Sequence, residues 1–216
     1  MPDLGAISAF WDAAADSFDI EADHGLRDSR VRAAWAARLR SWMPAAPARV
    51  LDLGCGTGSI SLLLAEDGHL PVGVDLSTRM IEVAQAKMRR HRQHFPLLVG
   101  DAGDPPPQAG DSFDVVLARH LLWTLPNPHT ALRRWTRLLR PGGRLILIEG
   151  RWATATEDTP YTPEAPPLPW NGGVTAQHLR DAVRPLVQDL RIEPLDDPDL
   201  WSHPIDDERY ALIADI

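Results

Sequence analysis

Hydrophobic positions follow two different periods along this chain. In residues 27–42 they recur every three to four places, at Val31, Trp35, Leu39 and Trp42, which predicts a helix that Pro44 and Pro47 end. Residues 48–54 (ARVLDLG) form a short unbroken apolar run and predict a buried strand, and 59–68 (SISLLLAEDG) predict a helix closed by Gly68. Further strands are expected at 70–75, 95–102, 113–120 and 144–150. Between them lie a helix with Ser77 as N-cap and Met80, Ile81, Ala84 and Met88 on its apolar face, and another around 129–140, stopped at Pro141-Gly142-Gly143.

Strands that alternate with helices imply right-handed crossovers and a mainly parallel sheet. The apolar runs do not alternate with polar residues, so both sheet faces should be covered. The expected fold is an α/β, doubly wound, Rossmann-like sheet of about seven strands with helices on both faces. After Gly150 the pattern stops: residues 151–174 hold five prolines and no period, and read as a long loop over a site. A helix at 175–184 and two strands near 186–195 and 208–215 follow. The chain is expected to be one domain, divided into an N-terminal helical lid (1–44), a core (45–150), the loop (151–174) and a C-terminal helix and strand pair (175–216).

Composition narrows the function classes. At 216 residues, 44% apolar and 24% charged, the chain resembles a globular protein with one substantial core. The net charge of −8 argues against an electrostatic grip on nucleic acid. No apolar run reaches the roughly 20 residues of a membrane span, and the first residues lack a basic-then-apolar leader pattern, so a cytoplasmic location is expected. Cys55 is the only cysteine, which excludes an internal disulfide. Tryptophan supplies eight of fourteen aromatic residues, enough to ask what those rings surround.

Chemistry concentrates in LDLGCGTGSI, residues 51–60. A glycine turn after a buried strand lets backbone approach a ligand at the C-terminal edge of the sheet. Two features argue against a dinucleotide: Ser59 stands where the third fingerprint glycine would be, and Asp52 would repel a diphosphate. The same acid favours a cationic ligand.

Five segments, VLDLGCGTG (50–58), GVDLS (73–77), GDA (100–102), FDVVLARHLLWTL (113–125) and LLRPGGRLILIEG (138–150), together resemble class I S-adenosylmethionine-dependent methyltransferases. The resemblance covers roughly residues 45–150 and is similar to small-molecule enzymes of actinobacterial natural-product pathways. It implies a last strand antiparallel to the rest, S-adenosyl-L-methionine as cofactor and S-adenosyl-L-homocysteine as product. Gly54, Gly56 and Gly58 would approach the cofactor's methionine part, and Asp52 would bind near its amine. Asp75 would accept from both ribose hydroxyls, and Asp101, with Ala102 beside it, would face the adenine amino group. Leu76 and Met80 would pack on the adenine, although Met80 fits the core equally well. Arg119 would present its backbone carbonyl to the cofactor amine.

For the acceptor, His120 ends the fourth strand beside the expected methyl group, where it either takes a proton or orients substrate. His24, on the N-terminal segment, is a second candidate for catalysis or contact. Trp11, Phe18, Trp123, Glu149 and Trp152 are candidate substrate residues, and so many aromatic groups at one rim point to an apolar or cationic acceptor. The family often has tyrosine where Phe18 stands, so a lid hydroxyl is lost here. Trp35, Trp42 and Trp135 sit at helical spacing and belong to the core. No metal ligands are expected. The partner is a small molecule, with neither nucleic acid nor membrane, and the oligomeric state is open. A nucleic-acid methyltransferase would carry an Asn/Asp-Pro-Pro-aromatic turn after the fourth strand, where this chain has Ala118-Arg119-His120-Leu121. A module that binds the cofactor without turnover is the remaining rival, and an acceptor screen separates it.

Overall fold

A computed structural model describes residues 4–152 and 168–216. Seven strands form one sheet in the order β3-β2-β1-β4-β5-β7-β6. They are β1 (Arg49–Leu53), β2 (Leu70–Asp75), β3 (Leu97–Val99), β4 (Phe113–Arg119), β5 (Leu139–Arg151), β6 (Asp189–Pro194) and β7 (Glu208–Asp215). β1 to β5 pair in parallel, whereas β7 runs antiparallel to both β5 and β6. The doubly wound, Rossmann-like expectation therefore holds, including the reversed last strand.

The helices are α1 (Leu4–Phe18), α2 (Ala22–Gly25), α3 (Ser29–Trp42), α4 (Ser59–Glu66), α5 (Thr78–His91), α6 (Pro128–Leu138) and α7 (Ala176–Val183). Their starts are fixed by side chains. Asp28 accepts from the backbone of Arg30 and Val31, Ser77 from Met80, and Thr175 from His178. Trp35 and Trp42 pack with Leu63, Ile146 and Trp201 in one apolar cluster. A second cluster holds Trp135 with Phe113, Leu145 and Leu179. All three helical tryptophans are fully buried, as their spacing predicted.

Three boundaries differ from the pattern. β5 begins at Leu139, not at Arg144, because Leu139 pairs with Phe113 and the Pro141-Gly142-Gly143 turn is absorbed as a register shift within the strand. β3 keeps only three of the eight expected residues, since Gly73, Val74 and Asp75 supply its pairing partners. The expected loop at 151–174 falls largely on residues 153–167, which lie outside the described residues. At its far end Trp170 enters the core and Gly173 bridges Arg151.

Of the N-terminal stretch expected to be a lid, α1 and α2 lie over the strand ends. α1 is fastened there: Ser8 donates to the Leu76 carbonyl, and Asp12 accepts from Ser77 Oγ at 2.5 Å and Arg79 N at 3.0 Å. α3, in the same stretch, packs against the core. Its Val31, Trp35, Leu39 and Trp42 stripe is buried in the core, as an amphipathic helix requires.

Candidate active site

Strand order reverses between β1 and β4, and a cavity of about 300 Å³ lies at the adjoining C-terminal strand ends. Its volume is that of a small-molecule pocket. Ile7, Trp11, Phe18 and His24 from α1 and α2 line it from above.

The turn after β1 depends on left-handed backbone. Gly54 has φ +66°, and a Cβ there would come within 2.7 Å of Leu121 Cδ1. Gly58, at φ +75°, caps α4, and a Cβ there would come within 3.1 Å of Ala84 Cβ. Gly56 lines the cavity, and its N–H donates to Asp75 Oδ2 at 2.8 Å.

Three acids line the cavity from successive parallel strands. Asp52 is nearly buried on β1, and Ser61 Oγ donates to its Oδ2. Burial pushes its pKa up to about 7, against the lowering effect of the Ser61 hydrogen bond. Asp75 ends β2 and accepts from Ser77 N at 2.9 Å as well as from Gly56. Burial raises it too, opposed by those two backbone donors. Asp101 follows β3 and accepts from Gly103 N at 2.7 Å. Each carboxylate keeps lone pairs beyond these contacts. Leu76, Met80 and Ala102 complete this flank, with Ala102 fixed by the Trp135 indole N–H on its carbonyl. The two arginines of the lining, Arg119 and Arg209, come from β4 and β7, and Arg119 is close enough to favour the ionised form of Asp52. An amine and a pair of hydroxyls find acceptors along the acidic row, whereas a diphosphate would meet like charge. The residues present therefore fit S-adenosylmethionine.

The β4–β5 flank is aromatic. His120 has φ +53°, and its carbonyl accepts from the Trp123 indole at 2.7 Å. Its ring lies edge-on to Trp152 at 5.0 Å and tilted to Trp201 at 5.9 Å. Both ring nitrogens are buried without a partner. Burial, and then the neighbouring Arg119 and Arg209, hold His120 well below the usual histidine range. His24 stacks on Phe18 at 4.3 Å, its Nδ1 is also buried without a partner, and burial lowers its pKa. Trp11 meets Trp123 edge-to-face at 6.5 Å.

Arg119 commits its side chain to α2. It pairs with Asp23 Oδ2 at 2.6 Å, donates to the Asp23 carbonyl at 2.7 Å, and sits 4.3 Å from the Trp35 ring centre. It thus ties α2, and His24 with it, to the end of β4. Glu149 corrects an expectation: it is fully buried and does not line the cavity. Its Oε1 accepts from the backbone N–H groups of Leu121 and Leu122, both at 2.9 Å. An acid at a strand end can hold a neighbouring turn as readily as it can meet substrate.

Sequence reasoning missed two groups. Arg209 reaches the site from β7, where its guanidinium lies 4.6 Å from the ring centres of both Trp152 and Trp201 and is held by Asp207. No motif marks it. Lys87, the only lysine, donates to Asp19, Thr57 and Ser59, joining α5 to the glycine turn and to the segment after α1. Its rarity was the one available signal.

Comparison with known proteins agrees with this geometry. Residues 51–147 match the family model described as a methyltransferase domain. A demethylmenaquinone methyltransferase of Lactococcus lactis subsp. lactis is 38% identical over 104 residues, which is 46% of this chain and 41% of that protein. A ubiquinone biosynthesis O-methyltransferase of Xanthomonas oryzae pv. oryzae is 34% identical over 102 residues, covering 47% of this chain and 43% of the relative. The chain thus spans less than half the length of these curated relatives. Among solved structures, the magnesium protoporphyrin IX methyltransferase of Synechocystis PCC 6803, with bound cofactor, shares the fold at a TM-score of 0.58 and 21% identity, over 87% of this chain and 76% of that one. With the glycine turn and acidic row in place, residues 51–147 carry a methyltransferase domain, set in the same fold as the solved S-adenosylmethionine-dependent enzyme.

Proposed function

We propose that this protein transfers a methyl group from S-adenosylmethionine to a small-molecule acceptor, on an O, N or S atom. The observation that carries the reading is the row of Asp52, Asp75 and Asp101 on successive strands, beside an aromatic recess on the β4–β5 side of the same cavity. The relatives named for menaquinone and ubiquinone biosynthesis support a small-molecule acceptor.

The cofactor supplies an activated methyl group on a good leaving group. The chain's own task is to bind, align and keep water out. Asp52 would hold the amine, Asp75 the ribose hydroxyls and Asp101 the adenine amino group. Leu76 and Met80 would pack on the base, and Gly54 and Gly56 let the backbone close in. His120 and His24 would meet the acceptor, with Trp11, Phe18, Trp123 and Trp152 around it. α1 and α2 would act as the cover, in one domain spanning the chain. Net charge of −8 supports no nucleic-acid partner, no helix among the described residues is long and apolar enough to cross a membrane, and a cytoplasmic location completes the reading.

The test is release of S-adenosylhomocysteine on incubation with S-adenosylmethionine and pooled small acceptors. Product release that Asp75→Ala abolishes supports the reading. Cofactor binding without turnover on any acceptor supports the non-catalytic module instead.

A further inference from the structure

Buried polar atoms without a partner are rare in folded proteins, and a cluster of them points to something that satisfies them. Among the described residues there are six such atoms, and four belong to cavity-lining residues on one flank: His24 Nδ1, Arg119 Nε and both ring nitrogens of His120. Arg119 Nε is a donor that lacks an acceptor. Uncharged His120 offers one donor and one acceptor.

The charges around these atoms restrict what can satisfy them. Arg209 lies against the Trp152 and Trp201 rings, and Arg119 against Trp35. Of these rings Trp152 lines the cavity, and its face already holds Arg209, so a bound ammonium there would meet that guanidinium and Arg119. Each guanidinium is in turn matched by a carboxylate, Asp23 for Arg119 and Asp207 for Arg209. A carboxylate or phosphate on the acceptor would therefore compete with Asp23 and Asp207 for the two arginines of the lining. A phenolate, whose charge spreads into its ring, needs only donors and flat apolar walls, and the flank has both.

We propose that the acceptor is an aromatic hydroxyl compound that reacts as its oxyanion beside His120 and Arg119, with its ring among Trp11, Trp123 and Trp152. This rests on the methyl-transfer reading above and narrows it from O, N or S to an acidic O–H. The hydroxyl proton leaves to water before the transfer. The oxygen lone pair then forms the O–C bond to the methyl group while the S–C bond breaks and its electron pair stays on sulfur, giving a neutral ether and a neutral thioether. His120, kept uncharged by burial and by two arginines, is a poor store for that proton. The acceptor must therefore be acidic by itself, which favours phenols over aliphatic alcohols.

The experiment is a panel of para-substituted phenols of graded acidity, with matched benzylamines, benzyl alcohols and benzoates. Turnover is read as S-adenosylhomocysteine release, and cofactor affinity is measured separately by calorimetry. Phenols are turned over, the more acidic ones at least about tenfold faster at neutral pH than the least acidic, and the other three classes are inert. His120→Ala removes a donor to the oxyanion and lowers kcat on phenols at least about tenfold, while cofactor affinity stays the same. Turnover of benzylamines, benzyl alcohols or benzoates in preference to phenols overturns the proposal. So does a protein that binds the cofactor and methylates no phenol, an outcome that leaves cofactor binding intact. Failure to bind the cofactor would instead remove the underlying reading.

Discussion

Glu149 Oε1 accepts the backbone N–H of Leu122 at 2.9 Å and that of Leu121 at the same distance. A side chain with no exposure thereby holds the turn that carries His120, places Leu121 against Gly54, and sets Trp123 in the cavity wall. Burial pushes the Glu149 pKa up from the ordinary 4.5 to about 8, against the two backbone donors. The unfolded chain ionises first, so between pH 4.5 and 8 the folded state binds the extra proton and loses stability as pH rises. Glu149→Gln keeps the accepting oxygen and removes this loss. Its melting temperature should climb relative to wild type from pH 5 to pH 9, while Glu149→Ala, with two N–H groups orphaned, should lose about 1–3 kcal/mol. A pH-independent difference between Gln and wild type would refute the assignment.

Asp52 sets a different pH dependence. Its pKa of about 7 leaves it half protonated at neutral pH, and a bound cation favours the ionised form. Affinity for S-adenosylmethionine should therefore weaken as pH falls through 7, approaching about tenfold per unit well below it. Calorimetry in buffers of different ionisation enthalpy should show a proton released on binding near pH 6. Asp52→Asn should bind more weakly and lose that release. Unchanged proton release in the variant would place the titrating group elsewhere.

Lys87 and Asp19 form an ion pair of 2.9 Å in which neither side chain is more than 14% exposed. Removing one partner of such a pair leaves an uncompensated charge and costs about 3–5 kcal/mol. Lys87→Met should lower the melting temperature and let protease cut within residues 4–25 before the core. Asp19→Asn with Lys87→Met should recover part of the loss. Cleavage that begins in the core in both variants would count against a local tether.

Arg119 anchors α2 through Asp23 and stacks on Trp35. Arg119→Lys keeps the charge but not the planar fork or the stacking. Acceptor KM should rise more than cofactor Kd, because His24 follows Asp23 directly. Equal effects on both ligands would mean that Arg119 serves the whole cavity.

The fold was legible because its strands are unbroken apolar runs and its helices have polar caps. Val31, Trp35, Leu39 and Trp42 show the same rule, since a stripe at 3.6 spacing reports a buried helix face and α3 packs that face into the core. The β5 boundary was lost because Pro141-Gly142-Gly143 has turn chemistry that an adjacent strand absorbed as a register shift. In the site, the acids were readable because motif and strand end coincide. Arg209 was not, because an antiparallel strand from the far end of the chain brings it in. The residue type of Glu149 was right and its partner was not: polarity at a strand end does not tell a backbone acceptor from a ligand contact.

The central claim is that the Asp52–Asp75–Asp101 row seats S-adenosylmethionine. Calorimetric titration of the wild type and of Asp75→Ala with S-adenosylmethionine tests it most directly. The account predicts one site per chain in the wild type and at least about a tenfold loss in the variant, since an acceptor of hydrogen bonds from two hydroxyls is removed. No binding by the wild type, or undiminished binding by Asp75→Ala, would contradict it.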